Sequence, residues 1–182
     1  MFKYSILLLP LFIIFSCKGQ TNPDCLVKLE EKLSPKVNEE NEVGEIINIK
    51  EEVNCFEWDT LIVQMAMVNK ETAERTLGVK IPFDYTNDLF QHESVARLLF
   101  VKNDTVIHYI LQEAGVDKKT FDNAKNIKSY RFIYLLNNYG NGSFAKIPKD
   151  KTIFQTYPIV YHENGIEKSN PKYGLAVKVK QN

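Results

Sequence analysis

The chain has 182 residues, 44% hydrophobic and 25% charged, with 23 Lys+Arg against 23 Asp+Glu. This is one domain's worth of sequence, with too many apolar residues and too little net charge for an intrinsically disordered chain. A net charge of zero also argues against a nucleic-acid partner, because dedicated nucleic-acid binders carry a basic excess.

Lys3 precedes an apolar run from Ile6 to Phe15. The run is about ten residues long, against the roughly 20 that a spanning helix needs. It reads as the hydrophobic region of an export signal over residues 1–16. Ile14-Phe15-Ser16-Cys17 then resembles a bacterial lipobox, with Phe15 where a small residue is usual. The resemblance implies cleavage before Cys17, a diacylglycerol on its thiol and an acyl chain on the new amine. The other reading is a plain secretory signal followed by a chance Cys. Three acyl chains, at ~0.8 kcal/mol per buried methylene, would hold the protein on a lipid bilayer permanently. Ser16-Cys17-Lys18-Gly19-Gln20 is also similar to the start of many Bacteroidetes lipoproteins. Lys18 follows the Cys and no acidic cluster comes directly after it. The implied location is the outer membrane, facing the periplasm. The expected mature chain, Cys17 to Asn182, has 166 residues, with 22 positive charges against 23 negative.

With Cys17 assigned to lipid, Cys25 and Cys55 remain. In an oxidising compartment they form either a disulfide or a pair of unpaired buried thiols. A bridge would close a loop of 30 residues, worth ~3 kcal/mol in the loop-entropy model. The absence of any Cys-x-x-Cys argues against a zinc ribbon or a thioredoxin-type site.

Residues 17–23 form an anchored polar tether, and residues 24–182 a single domain. Asp24 is placed to cap a helix over Cys25–Leu33, with Leu26, Leu29 and Leu33 on one face and Pro35 ending it. The acidic stretch 38–45 is loop, and Ile46, Ile47 and Ile49 suggest a strand. Thr60–Val68 is apolar on both faces and reads as a central covered strand. Lys70–Leu77 reads as a helix ended by Gly78. Residues 79–94 are ambiguous. Val95–Lys102 and Thr105–Leu111 flank Asn103-Asp104, a two-residue hairpin turn. Asp117 is placed to cap a helix over Lys118–Lys125. Tyr130–Leu136 alternates aromatic and aliphatic residues and reads as a strand, followed by a turn cluster over Asn137–Gly142. Thr152–Tyr157 and Leu175–Val179 are further strands. The expected fold class is α+β: a mainly antiparallel sheet of about six strands with two or three short helices on one face.

Phe56-Glu57-Trp58-Asp59-Thr60-Leu61, Thr72-Ala73-Glu74-Arg75-Thr76-Leu77-Gly78 and Leu98-Leu99-Phe100-Val101-Lys102-Asn103-Asp104-Thr105-Val106 occur in an order that resembles small Bacteroidetes-type lipoproteins of uncharacterised function. The likeness spans residues 55–110. It implies a lipoprotein of α+β fold and brings no activity or cofactor with it. In that lineage Asp-Ser/Thr-apolar triplets are O-glycosylated. The resemblance therefore implies candidate sites at Thr105 (Asp104-Thr105-Val106), in an exposed turn, and at Thr60 (Asp59-Thr60-Leu61).

Signatures of catalysis are missing. His92-Glu93 and His162-Glu163 are followed by Ala96 and Ile166 where a zinc-binding His-Glu-x-x-His needs its second His. No metal site is expected. Gly-x-Ser-x-Gly and Gly-rich phosphate cradles are absent, so no catalytic residue is assigned. The paired carboxylates Glu39-Glu40 and Glu51-Glu52 lie in polar stretches and read as solvated charge. Trp58 reads either as a core anchor or, with His108, as a contact for a ligand.

Charge is unevenly spread. Residues 24–52 and 53–117 each sum to −5, and residues 118–182 hold four acids and twelve bases. Either halves of opposite sign face each other within the domain, or the C-terminal third presents a basic face to an acidic protein or anionic envelope polymer. The combined features point to a non-enzymatic envelope lipoprotein acting by protein–protein contact, one form being an immunity or inhibitor protein. The competing class is an envelope ligand-binding protein or hydrolase with its site near Trp58 and His108.

Overall fold

A computed structural model describes residues 22–83, 95–170 and 172–180. The signal, Cys17 and His92 lie outside the described residues. In chain order the elements are α1 (Asp24–Leu33), β1 (Lys36–Val37), β2 (Ile46–Asn48), α2 (Ile49–Glu52), β3 (Thr60–Met65), α3 (Lys70–Leu77), β4 (Val95–Lys102) and β5 (Thr105–Glu113). They continue with α4 (Lys118–Asn123), β6 (Ile127–Lys128), β7 (Tyr130–Arg131), α5 (Tyr134–Tyr139), β8 (Phe144–Pro148), β9 (Ile153–Pro158), β10 (Val160–Glu163), β11 (Ile166–Ser169) and β12 (Leu175–Val179).

The class is α+β with mostly antiparallel strands, but the strands do not form one sheet of six. Two four-stranded sheets, β5-β4-β3-β8 and β2-β9-β12-β7, are accompanied by two ribbons, β1-β6 and β10-β11. The pairing of β12 with β7 is parallel. Helices also cover both faces of the first sheet, because its central strands are apolar on both sides. Leu61, Val63, Leu98 and Phe100 point into a core shared with the second sheet's Ile47, Phe154 and Val177. The Leu26, Leu29 and Leu33 stripe of α1 closes that core. Ile62, Leu99 and Val101 point the other way, onto Ala73 of α3 and onto Val79 and Ile81.

Local chemistry sets the boundaries. Asp24 is the first residue of α1 rather than its cap; its charge suits the helix N-terminus, while Pro23 occupies the cap position. Asn69 caps α3 through Thr72 N–H, and Gly78 ends it at φ +66° in the left-handed region. Asn103 and Asp104 both take positive φ, as a two-residue turn between β4 and β5 requires. Asp117 caps α4 through Thr120 N–H.

The expected strand Tyr130–Leu136 is corrected. Only Tyr130 and Arg131 pair, and the chain then turns into α5. Phe132, Leu135 and Leu136 are all buried, and their i, i+3, i+4 spacing is helical, which outweighed the aromatic–aliphatic alternation. β3 also ends at Met65, short of Val68, where a turn takes over.

Candidate functional site

Cys25 and Cys55 are joined, with Sγ atoms 2.03 Å apart and Cα atoms 6.1 Å apart. The bridge ties the first turn of α1 to the segment entering β3. Trp58 lies just beyond. Its ring is 2% exposed, its Nε1–H donates to Val53 O at 2.8 Å, and it meets Phe100 edge-on at 5.3 Å. The Lys149 ammonium sits 4.8 Å from the ring centroid.

His108 pairs with Phe100 across β4 and β5, and its ring lies 4.6 Å from Phe56. Phe56 in turn meets Phe100 edge-on at 5.8 Å. Trp58 and His108 therefore belong to one aromatic cluster, linked through Phe100 and Phe56. Burial holds the His108 imidazole below its usual value and so favours the neutral ring. In this cluster Trp58 has its N–H bonded and both sides of its ring occupied, and it packs as core.

Thr60 and Thr105 stand at one end of the first sheet, each half-buried, opposite Val101 and Lys102 respectively. The Asp59 carboxylate accepts from Asn103 N–H at 3.1 Å, which ties the two Asp-Thr segments together. His162 lies far along the chain in β10, with every residue of that strand exposed. Among the described residues no group of three His, Cys, Asp or Glu side chains is placed to hold a metal ion, and no helix is long and apolar enough to cross a membrane.

Two of the cavities formed by the described residues lie away from the aromatic cluster. One of about 410 Å³ lies between Val37-Asn38 and α4, where Asp117, Thr120 and Asn123 line it. The other, of about 290 Å³, is lined by Asp150, Lys151, Ile153, Val179 and Lys180. Neither includes Trp58 or His108.

A half-buried ionic cluster forms instead around Glu45. Both of its carboxylate oxygens accept from the Tyr130 hydroxyl, at 3.0 and 2.9 Å, and Lys128 lies 3.2 Å away. Burial, the hydrogen bond and the negative charge of Glu45 push the Tyr130 phenol far up, so it stays protonated. Among the described ion pairs, Lys128–Glu45 is the one that joins the basic C-terminal third to an acidic region; Lys118–Asp122 and Lys168–Glu163 close within that third.

The least expected feature is the β10–β11 ribbon. It continues the β9–β12 pair past the sheet, and all eight of its strand residues are exposed. Ile166 is 62% and Val160 45% exposed, with Tyr161 beside them. Tyr161 meets Tyr173 at 5.8 Å, and Tyr173 stacks on Phe121 of α4 at 6.2 Å. Lys172 caps that row, 5.4 Å from the Phe121 ring. The signal was present in the sequence: Asn164-Gly165 between two four-residue β-prone runs marks a tight hairpin.

The class that the architecture defines is an α+β protein of two shared-core sheets with a projecting ribbon. Comparison with family models, with curated proteins and with solved structures finds no match for this chain.

Proposed function

We propose that the protein is an envelope lipoprotein, held at the outer membrane through acylated Cys17 and facing the periplasm, that acts by protein–protein contact. An immunity or inhibitor protein is one form of this activity. The observation that carries the reading is the β10–β11 ribbon, whose Val160, Tyr161 and Ile166 face solvent outside any core. Large apolar and tyrosine side chains bordered by polar residues are the composition of protein interfaces. The hydrolase and ligand-binding reading loses its motivation at Trp58, whose ring and N–H are already engaged within the core.

Two substitutions test this. Cys17→Ser should move the protein from the membrane to the soluble fraction; unchanged fractionation contradicts the anchor. The double substitution Tyr161→Ser with Ile166→Ser should abolish capture of the protein's partner from envelope extract without lowering the melting temperature. Full capture by that variant contradicts contact through the ribbon.

A further inference from the structure

Asn164 and Gly165 take φ +53° and +77°, the two positive values of a type I′ turn. Such a turn makes Glu163 and Ile166 a hydrogen-bonded pair, and Tyr161 and Lys168 the next. The intervening Glu167 and Ser169 of β11 therefore aim their N–H and C=O groups outward, as do Val160 and His162 of β10. Among the described residues no backbone hydrogen bond is made to the outer edge of β11. That edge carries no Pro and no bulge, and its protection against pairing is limited to the shortness of β11 and the charges of Glu167 and Lys168. A two-stranded ribbon is marginal alone in water, and a third strand would complete it.

The two edges differ in charge. Beside β10, the acidic loop 38–45 runs along the outer edge of β9: Gly44 N–H donates to Thr156 O, and the Thr156 hydroxyl to Glu42 O. On the β11 side, the following loop docks on α4. Lys172 Nζ donates to Phe121 O at 2.9 Å, and Arg131 Nε donates to Tyr173 O at 2.6 Å. Lys119 is exposed on the same helix.

We propose that the outer edge of β11 takes up an extended, acidic polypeptide segment as an added antiparallel or parallel strand. Main-chain hydrogen bonds to Glu167 and Ser169 supply affinity, and the cations on the α4 side select acidic side chains. This inference rests on the contact reading above and names the partner's chemistry.

The test uses the full chain in detergent and a fluorescent peptide of alternating Val and Glu, read by anisotropy. Binding should weaken about tenfold, the worth of a backbone hydrogen bond or two, when the peptide is N-methylated at alternate residues or when Glu167→Pro removes the outward N–H. His162→Pro, on the opposite edge, should leave binding unchanged, and an alternating Val–Lys peptide should bind about tenfold more weakly than Val–Glu. Equal affinity for the methylated and unmethylated peptides overturns strand addition, as does equal weakening by the two Pro variants. Absence of Val–Glu binding overturns it as well. Polygalacturonate binding that ignores Glu167→Pro, with no peptide binding, would assign the surface to an anionic polymer. Partner capture lost with Tyr161→Ser/Ile166→Ser but kept with Glu167→Pro would overturn strand addition alone; capture kept by both variants would overturn contact through the ribbon itself.

Discussion

At Trp58 the indole N–H is committed to Val53 O, and the ring to Phe100 and Lys149. Trp58→Ala should therefore cost about 3–5 kcal/mol, the range for removing a large buried aromatic, and chemical denaturation would read it. A change within experimental error would show that the ring is not part of the core. His108 gives a pH prediction. Its folded value lies below the ordinary 6.5 because burial disfavours the imidazolium. Its contribution to stability is thus complete above the unfolded value and is lost as pH falls through the lower folded value. The melting temperature should fall as pH drops below the ordinary imidazole value of 6.5, and His108→Phe should reduce that fall. Equal falls in both proteins would contradict the assignment. Glu30 works in the opposite sense at lower pH: burial and neighbouring Glu113 raise its carboxyl, so protonation there favours the fold. The two readings of Trp58 could not be separated from sequence, because Trp-Asp before a strand looks the same whether the ring turns inward or out.

At the scale of elements, legibility followed local chemistry. The α3 helix, with its Gly78 terminator, and the Asn103-Asp104 hairpin were readable because caps and turns are encoded within a few residues. The segment after Arg131 was not, because Phe132, Leu135 and Leu136 fit a short helix as well as an alternating strand. β8 was missed because its Ala145 and Lys146 give little strand signal, and it exists through its pairing with β3. The sequence left two states open for Cys25 and Cys55, and the structure joins them. The bridge spans 30 residues, and within its loop lie β1, β2 and α2. Replacing both cysteines by Ser should lower stability by ~3 kcal/mol and loosen the docking of α1, as measured by urea unfolding and by amide exchange at Leu26, Leu29 and Leu33. Unchanged unfolding of the double variant would contradict this.

For the whole molecule, α+β with antiparallel pairing was legible, but the partition of strands was not. Which strands pair depends on long-range contacts, and here β2, β9 and β12 left the first sheet to cover it. The −5, −5, +8 division of charge along the chain is only slightly neutralised within the fold, since among the described ion pairs Lys128–Glu45 alone crosses it. The most direct test of the contact account is site-specific photo-crosslinking in intact cells, with the probe at Ile166 on the ribbon or at Val27 on α1, which are 62% and 51% exposed. The account predicts a discrete protein adduct from Ile166, competed by excess alternating Val–Glu peptide, and none from Val27. Equal labelling at the two positions, or none at Ile166, would contradict it.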